Sequence, residues 1–183
     1  MAKIYWAGQS CFQISVSNGK DNSADIIIDP VGSSTADILL LTDKKLEGGK
    51  VRGEPFKIDG PGEYEIKGVF VQGISSSSNT IYIIESEDMR FCHLGNFDQK
   101  ELTDEQLEKI DGVDILLVPA ENEWVQKIIG QIEPKIVIPM LYSSSAKFLK
   151  AMGKQSIAPV EKLTIKASAL PKEGALEIVV LQP

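Results

Sequence analysis

Ala36-Asp-Ile-Leu-Leu-Leu-Thr42 is echoed later in the chain by Val113-Asp-Ile-Leu-Leu-Val-Pro119. Each is a short aliphatic run that reads as a strand. Each follows a strand that ends in a polar turn, Ile26-Ile-Ile-Asp-Pro30 in the first half and Phe91-Cys-His-Leu-Gly95 in the second. Each of those is preceded by another β-type run, Cys11–Val16 and Thr80–Glu85. The recurrence of one order predicts two related β-rich halves packed on each other.

The remaining pattern fits that frame. Lys3–Trp6, Pro55–Ile58, Glu63–Ile66, Val69–Ile74 and Lys135–Pro139 read as further strands, split by glycine, proline and serine turns. Lys162–Ala167 and Leu176–Leu181 read as a closing pair of strands around Pro171–Gly174. Three helices are expected in the second half. Leu102-Thr-Asp-Glu-Gln-Leu107 offers a capping box of Thr103 with Gln106 and a staple of Leu102 onto Leu107. Glu121–Ile132 places Trp124, Val125, Ile128, Ile129 and Ile132 on one helical face, and Ser143–Met152 stops at Gly153. The glycine-rich stretch Lys44–Glu54 reads as a polar loop. With strands ending at one edge, Asp29, Thr42-Asp43, Asn96, Glu121 and Tyr142 gather where layered α/β folds bind ligands.

A chain of 183 residues favours a single domain spanning 1–183. It is long enough to bury roughly 70% of its unfolded surface without a disulfide or a structural metal. The net charge of −7 disfavours phosphate backbones and anionic bilayers, so neither a nucleic-acid partner nor a membrane is expected. Lys44-Lys45 and Lys147, Lys150 and Lys154 are the only clustered cations and read as solvated surface. No signal peptide is read at the start, and the aliphatic runs are too short to span a bilayer, so a cytoplasmic location is expected. Two separated cysteines, Cys11 and Cys92, make neither a disulfide framework nor a zinc knuckle. The chain has one histidine, His93, and a histidine-rich binuclear site needs several.

The strand-end segments resemble the metallo-β-lactamase superfamily, in particular its branch of small bacterial hydrolases like the ascorbate-phosphate lactonase. Gly8-Gln-Ser-Cys-Phe12 is similar to the family's Gly-His-Ser-Cys-Phe, and His93-Leu-Gly-Asn96 to His-Leu-Gly-Asp. Ile27-Ile-Asp-Pro30, Gly60-Pro-Gly-Glu-Tyr-Glu65, Asn79-Thr-Ile-Tyr82, Leu102–Gln106, Asp114–Pro119 and Pro134–Met140 extend the likeness in order along nearly the whole chain. The resemblance implies an α/β fold: a four-layer αβ/βα sandwich with helices on both outer faces.

It also implies where metal ligands belong. The family's Thr-His-x-His-x-Asp-His falls on Thr42-Asp-Lys-Lys-Leu-Glu-Gly48. Its histidines therefore coincide with Asp43, Lys45 and Gly48, and its aspartate with Glu47. The family's early histidine is Gln9, the bridging aspartate is Asn96, and the histidine of Pro-Met-His-Tyr is Leu141. A mid-chain histidine has no counterpart in Ile74–Ser78. Only Asp29, an orienting residue in the family, and His93, usually not a ligand, remain. Asn96 is neutral, Leu141 has no lone pair, and Lys45 repels a cation. Without a metal nothing obvious generates hydroxide at neutral pH.

The leading expectation is a non-catalytic module without a cofactor, which binds a small molecule or a protein, with Lys45 paired to Asp29 or Asp43 as a filler of the site. A rebuilt mononuclear site is the alternative. There Asp29, Asp43, Glu47 and His93 would hold one Mn, Mg or Zn ion and hydrolyse a phosphorylated or lactone-type substrate. A third reading is metal-free nucleophilic chemistry by Cys11 with His93, since Cys92 and His93 point to opposite faces of one strand. A protein-binding role would call for an exposed apolar patch around Trp124 or Phe148.

Overall fold

A computed structural model describes residues 1–17, 23–46 and 49–183. The first sheet holds β1 (Ala2–Trp6), β2 (Phe12–Ser17), β3 (Ser23–Ile28), β5 (Ile38–Leu40), β7 (Phe56–Ile58) and β14 (Leu163–Ile165), in the order β14-β1-β2-β3-β5-β7. The second holds β8 (Gly62–Ile66), β9 (Val69–Ser75), β10 (Thr80–Ser86), β11 (Met89–His93), β12 (Ile115–Pro119), β13 (Ile136–Met140) and β15 (Glu177–Ile178), in the order β15-β13-β12-β11-β10-β9-β8. The echo read from the sequence is a topological repeat. β1-β2-β3-β5-β7 pair antiparallel twice and then parallel twice, and β9-β10-β11-β12-β13 do the same.

Strict alternation in the first sheet explains how the layers meet. Ala2, Ile4, Trp6, Phe12, Ile14, Val16, Ile26, Ile28, Ile38 and Leu40 face inward. They pack on Val71, Tyr82, Ile84, Phe91, Ile115, Leu117, Ile136 and Ile138 of the second sheet. The strands β12 and β13 are buried at every position, because helices cover their other face. Those helices are α1 (Asp104–Ile110), α2 (Val125–Ile132) and α3 (Ala146–Ala151), whose Ile110, Val125, Ile128, Phe148 and Leu149 join one apolar cluster with Ile81, Ile83, Leu116, Val118 and Val137. The expected capping box of Thr103 and Gln106 is formed, and Leu102 and Leu107 pack in the same cluster.

The architecture is the expected α/β sandwich of two sheets, but among the described residues its α-helical cover is one-sided. Lys3, Tyr5, Gln13, Ser15 and Asp25 on the outer face of the first sheet offer no apolar stripe for a helix to bury. The small apolar patch there, Cys11, Ile27 and Leu39, is covered by Ala36 and Val51. Val51 belongs to β6 (Lys50–Arg52), which pairs in parallel with β4 (Ser33–Thr35) where the sequence read only polar loop. Two further expectations are corrected. β14 and β15 are not partners: β14 adds to β1 in the first sheet and β15 to β13 in the second. Helix α2 begins at Val125 rather than Glu121, because Asn122 starts a turn: its carbonyl accepts from Val125 N at 3.2 Å and its Oδ1 from Trp124 N at 2.7 Å. Trp124 thereby leaves the buried helical face and stands 39% exposed, whereas Phe148 is buried.

Candidate functional site

The parallel strands of both sheets deliver their carboxyl ends to one edge. The chain turns sharply there, and three non-glycine residues of that edge have left-handed backbone: Gln9 (φ 52°), Asp29 (φ 45°) and Leu141 (φ 54°). Such conformations are unfavourable for L-residues and persist only where surrounding bonds hold them. The bonds are present. The Gln9 carbonyl accepts from the Trp6 indole at 2.9 Å and from Leu141 N at 3.3 Å, which ties the β1–β2 turn to the end of β13. Thr80 N donates to the Thr42 carbonyl at 2.8 Å, tying β10 to the end of β5. Gly95 (φ 62°) lies so close to this junction that a Cβ would sit 2.3 Å from Asn79 Nδ2 and 2.8 Å from Thr42 Cβ.

Asp29 is buried, and both of its oxygens are committed. Oδ1 accepts from Thr42 N at 2.7 Å and Oδ2 from the Thr42 hydroxyl at 2.6 Å. This clasps the end of β3 to the end of β5, its parallel neighbour. His93 is fully buried and equally committed. Gly95 N donates to Nδ1 at 3.0 Å, so Nδ1 is the unprotonated nitrogen. Nε2 therefore carries the proton and donates it to the Ser10 carbonyl at 2.9 Å. Burial pushes the His93 pKa below its usual value, partly offset by the nearby Asp29 charge, and Phe12 packs edge-on at 5.7 Å. From the same sheet the Tyr82 hydroxyl crosses the core to the carbonyls of Leu41 at 2.9 Å and Ile58 at 3.2 Å. Burial, and then the Asp29 charge, raises the Tyr82 pKa and keeps it a neutral donor.

The other positions singled out by the sequence divide. Asp43 is half-buried and accepts from Lys45 N at 2.9 Å, inside a 3-10 turn spanning Lys44–Leu46. Lys45 is exposed. Its contact with Asp43 is through the backbone, and Thr42 takes the place at Asp29 that Lys45 was expected to fill. Glu47 and Gly48 lie outside the described residues. Gln9 is exposed, and the main-chain bond to Leu141 N brings it beside that residue. Leu141 and Asn96 share the lining of a cleft of about 550 Å³ with Pro119, Glu121, Asn122 and Trp124.

These residues do not fit the metal that the family uses. Among the described residues, no group of three or more His, Cys, Asp or Glu side chains could hold a metal ion. Of the residues with suitable chemistry at this edge, Asp29 bonds to Thr42 through both oxygens, His93 bonds through both ring nitrogens to Gly95 N and the Ser10 carbonyl, and Asp43 accepts from Lys45 N. An amide at Gln9, an exposed ammonium at Lys45, an amide at Asn96 and a hydrocarbon at Leu141 replace nothing of that donor set. Cys11 makes no dyad with His93 either. Its thiol packs with Ile27 and Ala36 on the outer face of the first sheet, and burial raises its pKa. Cys92 is buried among the helices, and its pKa is raised by burial too.

Sequence reasoning missed the partners that complete this edge, namely Thr42 as the clasp of Asp29, Ser10 and Gly95 as the holders of His93, and Tyr82 as the bridge between sheets. A threonine closing a buried aliphatic run, as at Ile38–Thr42, was the one local signal available.

Two facing β-rich halves with a shared strand-end edge define the α/β sandwich of the metallo-β-lactamase type. Residues 3–141 match the family model described as a beta-lactamase superfamily domain, and the chain belongs to that superfamily. A candidate Zn-dependent hydrolase of the metallo-β-lactamase superfamily from Thermotoga maritima is similar over 99% of both chains, at 26% identity and a TM-score of 0.81. A candidate metal-dependent hydrolase from Parabacteroides distasonis shares the fold at 16% identity and a TM-score of 0.60, over 99% of this chain and 94% of its own. A metallo hydrolase from the archaeon Ignicoccus hospitalis does so at 15% identity and 0.57, over 90% of this chain and 99% of its own. A comparison with curated proteins finds no match. No helix among the described residues is long and apolar enough to cross a membrane.

Proposed function

We propose that this chain is a binding or interaction module of the cytoplasm, a single metallo-β-lactamase-type domain over residues 1–183 that has kept the hydrolase scaffold and given up the hydrolytic centre. The observation that carries this reading is the engagement of Asp29 and His93. One clasps Thr42 with both oxygens, and the other spends both ring nitrogens on main-chain groups. These residues work as structural ties; among the other altered positions that the structure describes, Gln9 and Asn96 offer neutral amides, Lys45 a cation and Leu141 no lone pair, and the one carboxylate, Asp43, accepts from Lys45 N. Fold alone does not fix function. The T. maritima relative is described as a Zn-dependent hydrolase, whereas among the described residues of this chain no three His, Cys, Asp or Glu side chains gather to hold such an ion.

The strand-end cleft beside Asn96 and Leu141 is the place where such a module takes its ligand. Elemental mass spectrometry tests the reading, on untagged protein dialysed first against Mn²⁺ or Zn²⁺ and then against metal-free buffer. The expected result is far less than one metal per chain. About one metal per chain, lost in Asp29→Ala and Asp43→Ala, would replace this reading with a carboxylate-based mononuclear hydrolase.

A further inference from the structure

The cleft lined by Asn96 and Leu141 has a volume of about 550 Å³, within the range of small-molecule sites. Its charged lining has one sign: Asp98, Glu121 and Glu123. These carboxylates do not converge, because among the described residues no three acidic or metal-ligating side chains come close enough to hold an ion. Negative charge spread along a cleft suits a cation that is itself extended rather than a compact metal ion.

Trp124 is an independent pointer to the same chemistry. It stands 39% exposed in the cleft wall, whereas Trp6 is 6% exposed in the core. It is held in place through Asn122, whose Oδ1 accepts from Trp124 N at 2.7 Å and whose Nδ2 donates to the Phe97 carbonyl at 2.7 Å. The ring already carries an ammonium: Lys100 Nζ lies 5.5 Å from its centroid, inside the distance at which a cation is drawn to an aromatic face. Leu141 supplies an apolar wall to the same cleft.

The geometry points to a site for a small organic cation, an amine or guanidinium compound. Its charge would sit on the Trp124 face among Asp98, Glu121 and Glu123, and it would displace the ammonium of Lys100. This inference rests on the binding-module reading above and names the ligand class of that cleft.

The test titrates EDTA-treated protein with tetramethylammonium chloride and with agmatine, against matched NaCl. Two-dimensional NMR follows the indole N–H signals of Trp124 and Trp6. A saturable shift at Trp124 and none at Trp6 is expected. Trp124→Leu should weaken agmatine binding, read from backbone signals, by roughly 3- to 30-fold, and Glu121→Gln with Glu123→Gln by several-fold. Lys100→Gln should tighten it several-fold, because the internal competitor is gone. An unchanged Trp6 signal certifies the fold of each variant. Shifts no larger than those of NaCl overturn the proposal, and so does weaker cation binding in Lys100→Gln. Metal content measured on the untreated sample separates the two readings. Stoichiometric metal with cation binding refutes only the metal-free module, and no metal with no cation binding refutes only the ligand assignment.

Discussion

Removing the Asp29 carboxylate tests the clasp most directly. Asp29 and Thr42 are 4% and 2% exposed, so water does not replace the lost partner. Asp29→Ala removes two hydrogen bonds to a charged acceptor and leaves the Thr42 N–H buried and unpaired, while the Thr42 hydroxyl is free to turn. With bonds to charged groups at about 1.5–3 kcal/mol each, and part recovered by that rotation, the loss is about 3 kcal/mol. Alanine at a φ of 45° adds strain that glycine escapes, so Asp29→Gly should be milder than Asp29→Ala by about 1 kcal/mol. Asp29→Asn keeps one acceptor and should fall between wild type and Asp29→Ala. For a chain of this size about 3 kcal/mol lowers the melting midpoint by roughly 6–12 °C. The assay is urea and thermal unfolding with and without EDTA, with Thr42→Val and the double variant completing a cycle. A structural clasp gives the same loss in both buffers and a coupling energy above about 0.5 kcal/mol between the two sites. A wild type that loses stability in EDTA, with Asp29→Ala insensitive to it, would refute the clasp and make Asp29 a ligand.

Other expectations follow from the same contacts. Burial holds His93 neutral, with its folded pKa below the unfolded value of about 6.5, so the unfolded chain takes up the proton first as pH falls. Its contribution to stability is complete above about pH 6.5 and is lost below it at up to about 1.4 kcal/mol per pH unit. Urea midpoints across pH 7.5 to 5.5 measure this, and His93→Gln should show a shallower slope. Tyr82→Phe leaves the Leu41 carbonyl without its 2.9 Å donor and should cost about 1 kcal/mol in urea unfolding. Thr103→Ala opens the capping box of α1 at a cost of about 1 kcal/mol, visible in the same assay. Gly95→Ala, at φ 62° and against Asn79 and Thr42, should lose roughly 2 kcal/mol or more.

Strand existence was legible because β-branched runs at period two are a local property. The repeated order around Ala36–Thr42 and Val113–Pro119 extended it to topology. Partner choice was not legible: Leu163–Ile165 and Glu177–Ile178 read as strands, but nothing local says that they join opposite sheets. Ser33–Thr35 and Lys50–Arg52 lack any apolar period and were invisible as strands. The start of α2 was misplaced because the Asn122 side chain, not hydrophobic spacing, sets it. At the site, residue type alone says that Leu141 has no lone pair and that Lys45 carries a positive charge. What Asp29 and His93 do instead depends on Thr42, Ser10 and Gly95, and only distances between elements could reveal that.

At the strand-end edge, strained backbone and bonds between strands occur together. Left-handed backbone at Gln9, Asp29 and Leu141 is unfavourable by roughly 1–2 kcal/mol per residue. Here each strained turn is joined to a bond between strands. The Gln9 carbonyl meets Leu141 N, and the Asp29 carboxylate meets Thr42. Thr42 in turn accepts from Thr80, and His93 reaches the Ser10 carbonyl beside Gln9. The strain is therefore held by contacts that also fasten one sheet to the other, and relaxing any turn would loosen the seam between the halves. This seam lies beside the cleft that contains Leu141 and Trp124. A rigid cleft wall lowers the ordering cost of binding for whatever ligand the cleft takes.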